Sequence, residues 1–286
     1  MKKILITGAG SYIGTRVEKW LLSKNEDIQV TTFDTVSENF LEQSFAGFDT
    51  VFHVAGIAHV SADPSKEELY YKVNRDLAID TAKKAKVDGV GQFIFMSSII
   101  VYGNEGQKGI IDKDTKENPV DFYGRSKLEA EQGLQPLADE TFRVAIIRPP
   151  MIYGKNSKGN YPRLAKLATR LPIFPKVENQ RSMLHIDNLC ELIYLIIKHH
   201  EGGTFYPQNA EYVNTSELVK EIALCHGKPM VLVGGFGTLI KWMSKRIGIL
   251  RKVFGNMAYE KELSKHFDNA YCVTDFQESI RLTEEK

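Results

Sequence analysis

Residues 4–14 read Ile4-Leu5-Ile6-Thr7-Gly8-Ala9-Gly10-Ser11-Tyr12-Ile13-Gly14, a short apolar run followed by a glycine-rich turn. Apolar residues then recur at helical spacing over residues 12–23, so the turn joins a buried strand to a helix. Glycine allows a tight turn and lets the backbone approach a pyrophosphate, whose charge is held by amides at the helix N-terminus. The stretch therefore predicts a phosphate-binding loop.

A carboxylate follows the next strand of the pattern. Residues 28–33 form a second apolar strand, which ends at Asp34. A carboxylate at this position can accept hydrogen bonds from a ribose diol, so the loop and Asp34 together predict dinucleotide binding. Because the same carboxylate would repel a 2′-phosphate, we expect NAD rather than NADP. The alternative interpretation is a glycine turn that binds no ligand and an Asp34 that lies at the surface.

The alternation of strands and helices continues through the first half of the chain. Apolar strands are predicted at residues 51–54, 93–96 and 144–147, and helices at residues 67–86 and 121–134. Strands that are apolar on both faces and alternate with helices predict an α/β fold, a Rossmann-type doubly wound parallel sheet.

The pattern changes after Arg148. Prolines and glycines there mark turns rather than regular crossovers, so we assign residues 1–150 to an NAD-binding Rossmann domain and residues 151–286 mainly to a smaller C-terminal substrate-binding part. A strongly apolar helical run at residues 187–198 predicts that residues 185–212 return to the first domain.

The composition excludes several classes of protein. The 286 residues carry 37 basic and 36 acidic side chains, a formal net charge of +1, so no overall charge attracts nucleic acid. Cys190, Cys225 and Cys272 are too far apart in sequence for a zinc or disulfide motif, and we expect free thiols and no metal site. With no secretory core or membrane-spanning run in the sequence, we expect a cytoplasmic protein.

A tyrosine and a lysine lie one turn apart on the predicted helix that follows the fourth strand. Tyr123 and Lys127 share a face, and an adjacent ammonium favours the tyrosinate, which lowers the phenol pKa from about 10 and lets it exchange a proton. The fourth strand ends next to Ser98, and ligands bind at the carboxyl ends of parallel strands, so Ser98 and Tyr123 can converge there. A second pair at this spacing, Tyr194 and Lys198, lies in an apolar run and is interpreted as a packing tyrosine with a surface lysine.

Together these motifs resemble the extended short-chain dehydrogenase/reductase superfamily, in its NAD-dependent epimerase/dehydratase branch. The resemblance extends from the start of the chain to about residue 200. The motifs that carry it are Thr7-Gly8 to Gly14, Asp34, His53-Val54-Ala55-Gly56, Ser98, Val101-Tyr102-Gly103, Tyr123 to Lys127, and Arg148-Pro149-Pro150-Met151-Ile152-Tyr153-Gly154.

The resemblance implies a role for each catalytic residue. Tyr123 is the implied acid and base, Lys127 binds the nicotinamide ribose and lowers the pKa of the tyrosine, and Ser98 binds the reacting oxygen of the substrate. Hydride passes between a substrate carbon and C4 of the nicotinamide. The implied cofactor-binding residues are Gly8, Gly10, Ser11, Tyr12, Ile13, Gly14, Asp34, Val54, Ala55, Gly56, Asn74, Tyr123 and Lys127.

Two positions depart from the family pattern. Ser11 replaces the usual middle glycine of the cofactor loop, with Gly10 one position earlier, so the loop geometry or the cofactor affinity is expected to differ. Dehydratases of the family carry Asp-Glu where this chain has Ile99 and Ile100. Because aliphatic side chains cannot transfer protons, the resemblance does not extend to dehydration.

A later segment resembles one found in nucleotide-sugar epimerases and reductases. It reads Arg181-Ser182-Met183-Leu184-His185-Ile186-Asp187-Asn188-Leu189. In those families the arginine reaches the substrate's pyrophosphate, so Arg181 is an implied substrate-binding residue. The alternative is a structural arginine near the start of the next helix, with Asp187 as the N-cap of that helix. We expect His185 to be structural because Tyr123 already supplies the proton chemistry.

The leading functional hypothesis is an NAD-dependent epimerase that acts at C4 of a UDP-sugar, a small-molecule nucleotide-sugar substrate. The first alternative is an NAD(P)H-dependent reductase of a UDP-4-keto-6-deoxy sugar. An alternative of another class is a non-catalytic dinucleotide-binding sensor, although such a protein has no need of Ser98, Tyr123 and Lys127 together. The resemblance also implies a homodimer.

Residues 236–254 combine apolar and basic side chains and contain no acid. Such a basic amphipathic stretch can lie on a membrane surface. The interpretation that we prefer from sequence alone is a helix that packs over the substrate pocket or at a subunit contact, with solvated lysines.

Overall fold

The computed structural model describes residues 1–37, 39–58, 63–103, 109–235, 237, 242, 246 and 253–285. The chain divides into two compact units. Unit 1 comprises Met1–Asn104, Lys116–Pro149 and Leu189–Pro207, and unit 2 comprises Glu105–Thr115, Pro150–Asn188 and Gln208–Lys286. Most of the basic stretch 236–254 lies outside the described residues.

Short strands and helices alternate along the chain. The strands are β1 (Lys2–Thr7), β2 (Ile28–Phe33), β3 (Thr50–His53), β4 (Gln92–Met96), β5 (Ile110–Ile111), β6 (Arg143–Ile147), β7 (Met151–Tyr153), β8 (Ile173–Pro175), β9 (Met183–His185), β10 (Gly203–Phe205), β11 (Val231–Val233) and β12 (Ala258–Tyr259). The helices are α1 (Tyr12–Leu22), α2 (Glu67–Tyr71), α3 (Leu77–Val87), α4 (Phe122–Leu134), α5 (Tyr161–Arg170), α6 (Ile186–His199), α7 (Thr215–Cys225) and α8 (Phe276–Glu284).

A six-stranded sheet forms the centre of unit 1. Its strand order is β10-β6-β4-β3-β1-β2, and each neighbouring pair is parallel. The strand order reverses direction beside β1, which is the point where open α/β sheets bind ligands outside the carboxyl ends of their strands. The predicted fold class, a Rossmann-type parallel sheet, is confirmed.

The core of unit 1 explains why the strands are apolar on both faces. Leu5, Val51 and Phe93 are fully buried in one cluster that includes Ala78 of α3 and Ala130 of α4. Helices therefore cover the sheet, and the small alanines let their backbones approach it closely. Burial of this apolar area stabilises the unit by about 25 cal/mol per Å².

The predicted helix over residues 67–86 is interrupted. A π-helical turn at Lys72–Asp76 separates α2 from α3, and it contains the buried Asn74. A π-turn inserts one residue into the helical repeat and is common at functional sites. The hydrophobic pattern continues through the turn and does not reveal it.

Unit 2 is built from short paired strands and helices. Strand β5 pairs with β12, and Glu105–Thr115 belongs to unit 2. The sequence pattern places this segment in the first domain, residues 1–150. Two further parallel pairs, β7 with β9 and β8 with β11, surround a core formed mainly by α5 and α7.

Two findings concern membranes and metals. Over the residues that the structure describes, no helix is long and apolar enough to cross a bilayer. Within the same residues, no group of three or more histidine, cysteine, aspartate or glutamate side chains could hold a metal ion.

Candidate active site

The loop after β1 approaches the backbone that follows β3. Gly8 has a φ of 103°, and a Cβ atom there would lie 2.9 Å from the Ala55 nitrogen. Only glycine tolerates both the positive φ and this contact. The structure thus brings Gly8 and Ala55, two of the predicted cofactor-binding residues, together at the carboxyl edge of the sheet.

Ser11 has a structural role that explains the departure from the family glycine. It is the N-cap of α1, and its Oγ accepts a hydrogen bond from the Gly14 nitrogen at 3.1 Å. This hydroxyl satisfies one of the unpaired amides of the first helical turn. The first turn of α1 contains no acidic residue, so the positive end of the helix dipole remains available to an anion.

Asp34 is exposed directly after β2. Its Oδ1 accepts a hydrogen bond from the Val36 nitrogen at 3.0 Å, which fixes the carboxylate in a turn. The described residues form no hydrogen bond to Oδ2, so this oxygen can accept from a ribose hydroxyl. The glycine contact, the acid-free helix start and this carboxylate all fit NAD.

The π-turn directs Asn74 into the site. Its Oδ1 accepts from the Ile57 nitrogen at 2.8 Å, and its Nδ2 lies 3.3 Å from Ser126 Oγ on α4. A Cβ atom at Gly56 would lie 3.1 Å from Asn74 Oδ1 and 3.2 Å from Lys127 Nζ. The predicted residues Gly56, Asn74 and Lys127 are therefore neighbours.

Ser98 and Tyr123 meet at the end of β4. Asp121 is the N-cap of α4 and accepts from the Gly124 nitrogen at 2.8 Å, which places Tyr123 in the first helical turn. The Ser98 Oγ accepts from the Ile100 nitrogen at 3.3 Å, and the Ser98 side chain lies close to Tyr123. Burial raises the pKa of Tyr123 to about 12, and the polar interaction with Ser98 opposes this shift.

Lys127 is buried one turn further along α4. Its Nζ donates to the Met96 carbonyl at 2.8 Å and lies 4.6 Å from the centre of the Phe95 ring. Burial lowers the pKa of Lys127 to about 7, and the Glu131 carboxylate opposes this shift. The sequence predicts that Lys127 lowers the pKa of Tyr123, and this direction is wrong. The pKa is raised, because desolvation of the phenolate has the largest effect.

A buried ionic network supports this helix. The Arg148 Nη2 atom lies 2.5 Å from Glu131 Oε2, and Arg148 Nε donates to the same carboxylate at 3.1 Å. Ser97 donates to Glu131, and Arg148 Nη1 donates to the Tyr102 hydroxyl at 2.6 Å and to Glu117 at 2.7 Å. Every charge in the network is paired, which is the condition for burying ions without a large loss of stability.

Glu131 was not among the residues predicted for the site, although the sequence carries a signal for it. Tyr123, Lys127 and Glu131 follow one another at intervals of four residues, so one face of α4 carries a phenol, an ammonium and a carboxylate. A carboxylate at the third of these positions can balance the charge of the buried lysine.

His53 adds a neutral polar contact between β1 and β3. Its Nδ1 lies 2.8 Å from Thr7 Oγ1, and its ring lies against Phe93 and Phe95. Burial, together with the positive charge of Lys127, lowers the pKa of His53 to about 3. The imidazole is therefore uncharged at neutral pH.

In unit 2, Arg181 is partly buried, and no acidic side chain among the described residues pairs with it. Its Nη1 donates to the Gly255 carbonyl at 3.0 Å, and its backbone pairs with Val213. The described residues supply no carboxylate to the guanidinium, and burial lowers its pKa. The alternative interpretation of this segment makes Asp187 the N-cap of the next helix. Helix α6 begins at Ile186, so Asp187 lies in the first helical turn and is not the N-cap.

His185 is buried against Tyr153, with ring centres 5.4 Å apart. Its backbone nitrogen donates to the Asn209 side chain at 2.9 Å. These contacts hold β9 within the core of unit 2 and agree with a structural role.

Comparison with known proteins identifies the family. The model of the NAD dependent epimerase/dehydratase family matches residues 4–206. The chain belongs to this family, and it is an NAD-dependent enzyme of the epimerase and oxidoreductase type.

Its relatives include nucleotide-sugar epimerases. The chain is 34% identical over 253 residues to UDP-glucose 4-epimerase from Vibrio cholerae, covering 80% of this chain and 77% of the relative. It is 29% identical over 261 residues to the N-acetyl-alpha-D-glucosaminyl-diphospho-ditrans,octacis-undecaprenol 4-epimerase of Escherichia coli O157:H7, covering 82% and 78%. The crystal structure of UDP-glucuronic acid 4-epimerase from Bacillus cereus in complex with NAD has the same fold, with a TM-score of 0.76, 17% identity and coverage of 99% and 95%.

Replacing Gly8 with alanine is expected to weaken NAD binding at least about tenfold, because the new Cβ forces the loop away from Ala55. Isothermal titration with NAD, after retained cofactor has been removed from both proteins, measures the change. Gly89→Ala is the matched control, since Gly89 also has a positive φ of 80° but no atom within 4 Å of the added Cβ. Unchanged NAD affinity in Gly8→Ala would contradict the assignment.

Glu131→Gln is expected to lower the free energy of unfolding by about 3 kcal/mol, because Arg148 loses its buried partner. Urea denaturation measures this loss. Glu129→Gln on the same helix breaks only the solvent-exposed pair with Arg75 and is expected to change the stability by less than about 1 kcal/mol. Equal losses in the two variants would show that the buried pair has no special role.

Proposed function

We propose that this enzyme is a nucleotide-sugar 4-epimerase that oxidises and re-reduces C4 of a UDP-sugar, with Tyr123 as the acid and base. The observation that carries the proposal is the proximity of the Ser98 and Tyr123 side chains beside the buried Lys127. Two hydroxyls that meet at the carboxyl edge of the sheet can bind one substrate oxygen and transfer its proton. The relationship to UDP-glucose 4-epimerase from Vibrio cholerae supports the choice of reaction.

Each residue of the site has a distinct task in this mechanism. Bound NAD supplies the hydride acceptor. Tyr123 removes the proton of the C4 hydroxyl as the carbon is oxidised and returns it when the ketone is reduced. Ser98 holds the same oxygen, and its interaction with Tyr123 favours the phenolate that burial disfavours. Lys127 binds the nicotinamide ribose, and the Glu131 carboxylate opposes the loss of charge that burial causes at this lysine.

The residues after Ser98 argue against elimination of water. Ile99 and Ile100 begin a short 3₁₀ helix at the end of β4, and Ile99 is buried. Neither side chain can donate or accept a proton. This supports hydride and proton transfer at one carbon, which both an epimerase and a ketoreductase perform.

Arg181 supports a substrate that carries a diphosphate. A partly buried guanidinium without a carboxylate is stabilised when an anion neutralises it, and a diphosphate accepts hydrogen bonds from its fork of donors. The homodimer and the cytoplasmic location expected from the sequence remain predictions.

The reaction is tested by proton NMR of the purified enzyme with UDP-glucose and UDP-N-acetylglucosamine and no added cofactor. We expect the matching galacto sugar to form with one of them, through tightly retained NAD. A folded enzyme that converts neither sugar, even with NAD added, would exclude these epimerase reactions and favour the reductase of a 4-keto-6-deoxy sugar.

Tyr123→Phe is expected to lower the rate of conversion by at least about a hundredfold, because it removes the proton-transferring hydroxyl. The affinity for NAD is expected to change little. Tyr194→Phe is the matched control, because Tyr194 is also followed by a lysine four residues later and the Lys198 Nζ lies 3.0 Å from the Tyr194 hydroxyl. Removing the Tyr194 hydroxyl should leave turnover unchanged. Wild-type turnover in Tyr123→Phe would refute the mechanism.

Arg181→Met is expected to raise KM for the UDP-sugar at least about tenfold and to change kcat less, because the variant loses ground-state contacts to the diphosphate. Steady-state kinetics separate the two constants. Arg163→Met, at an exposed position of α5 in the same unit, serves as the control. An unchanged KM in the folded variant would show that Arg181 does not contact the substrate, and a lowered melting temperature with an unchanged KM would show that Arg181 is structural.

A further inference from the structure

Two long runs of unit 2 contain no acidic residue. Residues 150–177 contain six lysines and arginines, and residues 222–259 contain six more, with no aspartate or glutamate in either run. The whole chain carries 37 basic and 36 acidic side chains, so cations and anions are segregated locally. We call these segments the first and second acid-free runs.

The fold joins the two runs through one strand pair. Strand β8, in the first run, is parallel to β11, in the second, and Ile173 is the register partner of Val231. Register partners lie on the same face of a sheet. These two side chains are 57% and 59% exposed, so the pair presents an apolar surface to solvent.

Two leucines extend this surface. Leu171 has an extended backbone that ends α5, and the two-residue repeat of extended chain places it on the same face as Ile173. Leu167 lies one helical turn before Leu171, and both side chains are exposed. We call these four residues, Leu167, Leu171, Ile173 and Val231, the apolar patch.

Basic side chains flank the apolar patch. Lys166 and Arg170 lie on α5, Lys228 precedes β11, and all three are exposed. No carboxylate among the described residues forms an ion pair with them, although Lys228 Nζ donates to the Thr169 carbonyl. The patch is therefore an apolar centre with a cationic border.

An exposed tryptophan follows in the second acid-free run. Trp242 is 56% exposed, and the Arg246 guanidinium carbon lies 5.1 Å from the centre of its ring. Tryptophan combines a large apolar face with a polar N–H group and is enriched where apolar and aqueous phases meet.

We propose that the apolar patch and its cationic border dock unit 2 onto the surface of an anionic lipid bilayer. Aliphatic side chains bordered by lysine and arginine match the boundary between acyl chains and negatively charged headgroups. A second copy of the chain fits less well, because a two-fold contact would oppose two identical cationic borders. Nucleic acid would leave the aliphatic centre of the patch without a partner.

The docking is tested by sedimentation of the full chain with vesicles of phosphatidylcholine alone and of phosphatidylcholine mixed with phosphatidylglycerol. We expect sedimentation only with the anionic vesicles at low salt, and release at 0.5 M salt, where charges are screened. The double variant Ile173→Glu/Val231→Glu is expected to bind these vesicles at least about tenfold more weakly. Val87→Glu changes an exposed valine of unit 1 and is expected to bind as the wild type does.

Trp242 provides a second readout, because the chain has two tryptophans. In a Trp20→Phe background the fluorescence comes from Trp242 alone. Its emission is expected to shift to shorter wavelength when phosphatidylglycerol vesicles are added, and to remain unchanged with phosphatidylcholine alone.

Three results would overturn the proposal. The first is no sedimentation with anionic vesicles at low salt. The second is sedimentation that the Ile173→Glu/Val231→Glu variant does not weaken while its melting temperature equals that of the wild type. The third is a double variant that changes the oligomeric state in light scattering but not vesicle binding, which would identify the patch as a subunit contact.

Discussion

The buried ion pair between Glu131 and Arg148 is the interaction on which the geometry of the candidate active site depends. It joins α4, which carries Tyr123 and Lys127, to the residue that follows β6, and Ser97 at the end of β4 donates to the same carboxylate. A rotation or shift of α4 would separate the two charges and leave both of them buried, which is strongly unfavourable. The pair therefore holds the helix in the one position where its phenol and its ammonium both face the carboxyl edge of the sheet.

On the cofactor side of the sheet, the constraint is steric. Gly8 and Ala55 are so close that no side chain fits between the loop after β1 and the backbone after β3. Ser11 then starts α1 with a side-chain cap, so the family glycine is not required for the loop to turn at this position. The two sides of the site thus depend on different physical effects, close backbone contact for the cofactor and paired buried charges for the proton-transferring residues.

The sequence predicts those features that depend on local pattern. Five of the six strands of the sheet follow from hydrophobic periodicity, whereas the edge strand β10 was not predicted. The π-turn that contains the buried Asn74 was not predicted either, because the hydrophobic pattern continues through it. The direction of the Tyr123 pKa was also out of reach, because the spacing reveals a nearby ammonium but not the degree of burial that outweighs it. The partnership of Glu131 with Arg148 requires the tertiary fold, since a strand and two connections separate them in sequence.

Net charge gives little information about a surface when the fold brings distant segments together. A net charge of +1 excludes a general attraction to anions. Taken alone, the second acid-free run is compatible with a helix that covers the substrate pocket. The pairing of Ile173 with Val231 changes this conclusion, because it places the first acid-free run beside the second. Exposed aliphatic side chains then lie between basic side chains of the two runs. A surface with only basic side chains could bind any polyanion, and a surface with only apolar side chains could bind any hydrophobic partner. Apolar side chains on the strand pair together with cations beside it favour a partner that presents negative charge and hydrocarbon at the same boundary, as a lipid surface does.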